Sequence, residues 1–163
     1  MKSKILFLDI DGVVNSNFFY SNRWIEKFKE YVFEPEKIEL LNQLEGASVV
    51  VSSSWGPNGG KTTEEFNEAG LKLPILGYTK KIHWQYPWAC RGNEIEEWIR
   101  NTYGGLGTMF AYDKEWESED YNYVIFDDDA DMLLGQLNHF IHVNPETGLT
   151  QADIDRAKEI LGL

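Results

Sequence analysis

Lys4-Ile5-Leu6-Phe7-Leu8-Asp9-Ile10-Asp11-Gly12 decides the reading of this chain. The apolar run Ile5 to Leu8 is too short for a helix. It suits a strand buried on both faces, as in a parallel sheet, and it stops at acids and a glycine. Working outward, Ala47-Ser48-Val49-Val50-Val51 is a second such run and ends in Ser52-Ser53-Ser54-Trp55. Tyr121-Asn122-Tyr123-Val124-Ile125-Phe126 is a third and ends in Asp127-Asp128-Asp129. His139 to Val143 reads as a fourth strand, while Leu73-Pro74-Ile75-Leu76-Gly77 is a short one that proline confines to an edge or a loop.

Helical patterns fill the intervals. Ser16 to Phe33 predicts a short helix, with Trp24, Phe28 and Val32 at helical spacing as core residues. Pro35 suits a first helical position, Ile38, Leu41 and Leu44 follow at three-residue intervals, and Gly46 stops the helix. After the loop-forming Gly56-Pro57-Asn58-Gly59-Gly60, Thr62 or Thr63 is expected to cap a helix over Glu64 to Ala69. Lys80 to Arg91 has no clear period and reads as an irregular excursion. Asn93 then opens a helix with Ile95, Trp98 and Ile99 inward. Thr150 caps a last helix, with Asp153 completing a capping box and Ile154, Ala157 and Leu161 on the buried stripe. Strands alternating with helices predict an α/β fold, a three-layer α/β/α arrangement around a mostly parallel sheet.

The chain has 163 residues, 42% hydrophobic and 14% aromatic with six Trp, which suits a single domain over 1–163 and excludes a disordered or fibrous composition. Its 27 acidic and 15 basic residues give a formal charge of -12. That excludes bulk electrostatic binding of nucleic acid or anionic membrane, since both need a positive face. The one cysteine, Cys90, forms no internal disulfide, and no apolar run approaches the roughly 18 residues of a membrane span. A cytoplasmic protein is expected.

Ligands of open α/β sheets bind beyond the carboxyl ends of the strands. Here three strands end in Asp9-Ile10-Asp11, Ser52-Ser53-Ser54 and Asp127-Asp128-Asp129. Two carboxylates about 4 Å apart repel by about 4 kcal/mol at an effective dielectric of 20. Crowding them requires a shared cation or a retained proton. Hard oxygen ligands from two strand ends, with room for a phosphate, suit Mg²⁺. The pattern reads as a metal-dependent phosphate site.

Ile5 to Val13 resembles the first motif of the haloacid dehalogenase (HAD) superfamily of phosphotransferases. The hydroxyls after Val49-Val50-Val51 resemble its second motif, and a basic residue followed by a strand ending in paired acids resembles the third and fourth. Ser52-Ser53-Ser54-Trp55, Arg91-Gly92-Asn93-Glu94-Ile95 and Asp127-Asp128-Asp129 are similar to small HAD domains associated with RNA-repair proteins. The resemblance implies a Rossmann-like core and a phosphatase in which Asp9 attacks phosphorus and Asp11 is the general acid and base. Residues i and i+2 of a strand end point the same way, so both carboxylates can face one substrate. Asp11 must keep a proton long enough to donate it. Mg²⁺ would be held by Asp9, the Asp11 carbonyl and the Asp127/Asp128 pair, while Asp129 and Asp131 would either bind the metal too or orient a ligand or a loop amide. Ser52 or Ser53 would hold a phosphate oxygen. Arg91 is taken as the third-motif cation, with Lys80, Lys81 and Lys114 as alternatives.

The intervals Asn15 to Gly46 and Gly56 to Arg91 are too short for a full cap domain, so a minimal or absent cap and an open site are expected. Such a site suits exposed phosphomonoesters, whether small molecules or nucleic-acid ends, with Trp84, Tyr86 and Trp88 as core, lid or base-stacking residues. His83, His139 and His142 lack ligand spacing and read as structural. Two rival readings are a receiver-like phospho-acceptor and an inactive phosphate-binding or protein-interaction module. A receiver places its hydroxyl after the phosphorylated Asp. This chain places it between two acid blocks.

Overall fold

The computed structural model describes residues 2–26, 28–82, 86–103 and 120–163. The three apolar runs form the centre of one sheet: β1 (Ser3–Leu8), β2 (Ser48–Val51) and β4 (Tyr121–Asp127). β3 (Ile75–Tyr78) and β5 (Phe140–His142) close its two edges, in the order β3-β2-β1-β4-β5, and every pairing is parallel. Pro74 precedes the edge strand β3, and its carbonyl accepts from Val49 N, so the proline costs the sheet no ladder bond.

Strand alternation gives the sheet two apolar faces. Leu6, Leu8, Val49, Val51, Val124 and Phe126 point to one side. Against them pack Ile38 and Leu41 of α2 (Pro35–Leu41), Phe66 of α3 (Lys61–Glu68), and Ile154, Ala157 and Leu161 of α5 (Gln151–Leu161). Ile5, Phe7, Val50, Tyr123 and Ile125 point to the other side and meet Ile95, Trp98 and Ile99 of α4 (Arg91–Tyr103). The result is the three-layer α/β/α core expected of the sequence. Among the described residues, the excursion after β1 holds only α1 (Asn17–Ser21) and α2, and no cap domain stands over the sheet.

The chain winds β1 to β2 to β3 outward on one side, then returns to β4 and β5 on the other. The order reverses between β1 and β4, and ligand crevices open at such switch points. Register fixes what meets there. Leu8 pairs with Val51 and with Phe126, so Asp9, Ser52 and Asp127 lie at one level along the carboxyl edge.

Four local expectations need correction. α2 ends at Leu41 rather than at Gly46, with Leu44 in the turns that follow. The helix predicted over Ser16 to Phe33 ends at Ser21, where the Asn22 side-chain amide donates to Phe18 O, and turns follow. Trp24 is 80% exposed and is no core residue. Phe28 instead packs edge-to-face on Phe19. Thr62 and Thr63 do not cap α3; Gly60, at φ 95°, turns the chain directly into it, and the Thr63 hydroxyl bonds the Tyr78 hydroxyl instead. α4 opens at Arg91 rather than Asn93, because Asp131 Oδ2 accepts from Arg91 N at 3.0 Å. Pro35 at the start of α2 and the Thr150–Asp153 capping box on α5 stand as read.

Candidate active site

Asp9 lies one residue past β1 and is 6% exposed. Its backbone N–H continues the ladder to Phe126 O. Ser53 lies beside its carboxylate and draws it downward, and Arg91 Nη2 stands 3.5 Å from its Oδ1. Burial nevertheless lifts the Asp9 carboxyl to about 6, against the pull of Arg91, Ser53 and the Ile10 amide, with Asp128 adding repulsion.

Asp127, at the end of β4, is more deeply affected. Burial and then the charge of Asp9 push it to about 8, although Arg91 and the Asp129 amide oppose this. The Asp129 N–H donates to Asp127 Oδ1 at 3.0 Å. Oδ2 lies 3.2 Å from Arg91 Nε, yet the approach lacks hydrogen-bond alignment and this buried oxygen receives no hydrogen bond. Arg91 Nη1 is likewise buried without a hydrogen-bond acceptor, 3.8 Å from Glu94 Oε2. Asp128 is half-buried and also raised, chiefly by burial. One oxygen each from Asp9, Asp127 and Asp128 lie within 4.8 Å of one another. Three acids against one contacting guanidinium, one oxygen without a donor, and raised carboxyls together describe a site short of positive charge. Hard oxygen donors in that number suit a divalent cation such as Mg²⁺.

Asp11 has different company. Its side chain stands outside that cluster and accepts from Tyr20 Oη at Oδ1 and from Trp55 Nε1 at both oxygens, 3.1 and 3.0 Å away. The turn that carries it is tied by Gly12 N to Asn15 O and Asn15 N to Ile10 O. Gly12 sits at φ 79°, and a Cβ there would fall 2.4 Å from Asp128 Cγ. The glycine is what lets the first acid loop press against the last one.

The remaining sequence candidates separate cleanly. Ser53 faces Asp9, whereas the Ser52 hydroxyl accepts from Thr79 Oγ1 at 3.2 Å. Arg91 reaches both Asp9 and Asp127. Lys81 lies 3.9 Å from Glu94 and is depressed by burial and by Arg91. Lys80 is exposed beside Glu97. Asp131 binds the first amide of α4 instead of joining the carboxylate cluster, and Asp129 contributes its amide. His142 bonds Asp128 O and His139 bonds Tyr123 O, both structural contacts. Cys90 bonds Asn93. Tyr86 and Trp88 are exposed, their rings 5.4 Å apart. Lys114, His83 and Trp84 lie outside the described residues.

Sequence reasoning missed three residues. Tyr20 carried no signal, being one aromatic among several. Glu94, 3% exposed between Arg91 and Lys81, looked like an ordinary helix acid. Trp55 stood in the quoted motif, but its indole N–H was not connected to Asp11.

A parallel sheet that gathers acids, a hydroxyl and a guanidinium at its switch point is a Rossmann-like α/β domain with a carboxylate-rich site at its carboxyl edge. The family model described as the HAD domain in Swiss Army Knife RNA repair proteins matches residues 5–154. The chain belongs to that family, within the HAD superfamily. No curated protein and no solved structure matches it. Among the described residues, no helix is long and apolar enough to cross a membrane.

Proposed function

We propose that the chain, as one domain over 1–163, is a Mg²⁺-dependent phosphomonoesterase that works through an aspartyl-phosphate on Asp9. The observation that supports this most is the meeting of Asp9 with the Ser53 hydroxyl, the Arg91 guanidinium and the donor-less Asp127 oxygen at one level of the sheet.

An Asp9 oxygen attacks phosphorus while the leaving oxygen takes the Asp11 proton, giving the free alcohol and an acyl phosphate. Water then attacks phosphorus, Asp11 recovers a proton from it, and inorganic phosphate leaves with Asp9 restored. Ser53 holds a phosphoryl oxygen, with Ser52 supporting the loop through Thr79. Arg91 offsets the charge that develops on the phosphoryl oxygens and supplies an N–H now without an acceptor. Asp9, Asp127 and Asp128 with the Asp11 carbonyl would hold Mg²⁺, which neutralises phosphoryl charge and the mutual repulsion of the acids.

Substrates of an open crevice are terminal or otherwise accessible phosphomonoesters. The matched family is described from RNA repair proteins. Together with the exposed Tyr86 and Trp88 shortly before Arg91, that favours a nucleic-acid end, with bases stacking on the aromatic rings. The net charge of -12 assigns recognition to these local groups rather than to bulk attraction. A cytoplasmic location completes the reading, consistent with the free thiol of Cys90.

The test is release of phosphate from an aryl phosphate and from 3′- and 5′-phosphorylated oligonucleotides, with Mg²⁺ and with chelator. Asp9→Asn is expected to lower turnover about 10⁴-fold or more while keeping the fold. Wild-type-like turnover in that variant ends the proposal. With beryllium fluoride and Mg²⁺, an adduct is expected on Asp9 of the wild type and not on the variant.

A further inference from the structure

Asp11 is only half-buried, so water could satisfy its oxygens without help. Two protein donors from separate segments reach it all the same. Trp55 Nε1 lies almost equally far from the two carboxyl oxygens, 3.1 and 3.0 Å, which places the indole N–H opposite the carboxyl carbon. An indole N–H donates only and never titrates near neutral pH. Tyr20 reaches Oδ1 from α1, and a phenol hydroxyl is a donor at neutral pH.

Each donor is itself pinned. Asn15, fully buried, donates to Tyr20 Oη at 3.3 Å and to Val32 O at 3.1 Å, and its Oδ1 accepts from Glu34 N. Glu34 in turn accepts from the Ser16 hydroxyl that caps α1. The Trp55 ring lies 5.5 Å from Phe33, and Phe33 stacks at 4.2 Å on Phe66 of α3. Rings and amides from four segments thus converge to fix the direction of one carboxyl group.

We infer that Trp55 and Tyr20 are positioning residues for proton transfer by Asp11, fixing the orientation of its carboxyl; this rests on the phosphomonoesterase reading above. A proton donor displaced by about 1 Å costs on the order of 100-fold in rate. The cost falls only on leaving groups that need the proton.

The experiment compares two esters on each variant. One is an alkyl phosphate whose alcohol must be protonated: the phosphorylated oligonucleotide or glycerol phosphate that the wild type turns over fastest. The other is 2,4-dinitrophenyl phosphate, whose phenolate leaves without a proton. Trp55→Phe keeps a ring on Phe33, and Tyr20→Phe keeps a ring in α1. Each is expected to lower kcat/KM for the alkyl ester by about 10- to 100-fold, and for the dinitrophenyl ester by less than about 3-fold. The double variant is expected to approach Asp11→Asn on the alkyl ester. Equal losses on both esters, or no loss on either, overturn the inference while leaving the hydrolase reading intact. Absence of Asp9-dependent turnover of both esters by the wild type overturns both. Thermal melts accompany the kinetics, and should Trp55→Phe not fold, Tyr20→Phe carries the same comparison.

Discussion

Asp9 and Asp11 stand two residues apart on one turn, yet the fold treats them as opposites. Asp9 belongs to the floor of the crevice, fixed by the sheet, buried, and crowded by Asp127 and Asp128. Asp11 belongs to the rim, half-buried, and addressed by neutral donors from α1 and the loop after β2. Charge is the organising quantity on the floor and direction is the organising quantity on the rim. Under the proposed mechanism Asp9 must be ionised and aimed by a rigid strand end, while Asp11 must be held in one orientation to pass a proton. On that reading the two environments suit two chemically identical side chains to different roles.

The comparison is broken most severely through Arg91, the cation that contacts Asp9 and Asp127. Arg91→Ala is expected to lower kcat/KM by about 10²- to 10³-fold, the scale for removing one transition-state donor. Arg91→Lys should recover only part of this, because an ammonium cannot address Asp9 and Asp127 together as the guanidinium fork does. The loss should be equal for alkyl and dinitrophenyl esters, in contrast to the rim variants. A leaving-group-dependent loss at Arg91 would erase the distinction between floor and rim.

Gly12 is the hinge between the two regions, and its substitution tests whether they are mechanically joined. An alanine Cβ would meet the Asp128 carboxyl at 2.4 Å on a backbone at φ 79°. Gly12→Ala is expected to destabilise the protein by about 1–3 kcal/mol, a fall in Tm of roughly 3–10 °C at this chain length. Pushing Asp128 away should also lower activity. An unchanged Tm would mean that the loops do not press on one another.

Most of the floor was legible in the sequence, because it is made by strand ends and strands announce themselves. Val49 to Val51 and Tyr123 to Phe126 are buried runs, parallel register then follows, and register alone brings Asp9, Ser52 and Asp127 to one level. The choice between Ser52 and Ser53 was not legible, since it depends on which side chain turns toward Asp9 once the ladder has ended. The rim was nearly illegible. Its donors come from Tyr20 and Trp55, 9 and 44 residues from Asp11 in sequence. Tyr20 lies in the segment whose helical spacing misled: Trp24 obeys the period, but the helix has already ended at Ser21. Periodicity reports a buried face only where an element is long enough to have one.

A further effect addresses the charge of the floor directly. Asp9 is raised to about 6 and Asp127 to about 8, both above their ordinary value of 3.8. A carboxyl raised on folding binds its proton more tightly in the native state than in the unfolded one. Its contribution to stability is therefore present below the unfolded value and is lost as pH rises through the folded one. Without divalent cation, Tm should fall between about pH 4 and pH 8 as these two groups, and Asp128 raised beside them, lose their protons. Asp127→Asn, which removes the more strongly raised acid and leaves an amide of the same shape, should flatten the fall. Mg²⁺ competes with protons for the same oxygens, so its stabilisation should be weak at pH 5 and strong at pH 8.5. At ten times its dissociation constant it adds about 1.4 kcal/mol, roughly 3–5 °C. A Tm that rises with pH in chelator, or a Mg²⁺ increment that is equal at both pH values, would show that the floor acids are not short of positive charge. The rim gives the control: Tyr20→Phe removes a donor to Asp11 and should leave both pH slopes unchanged.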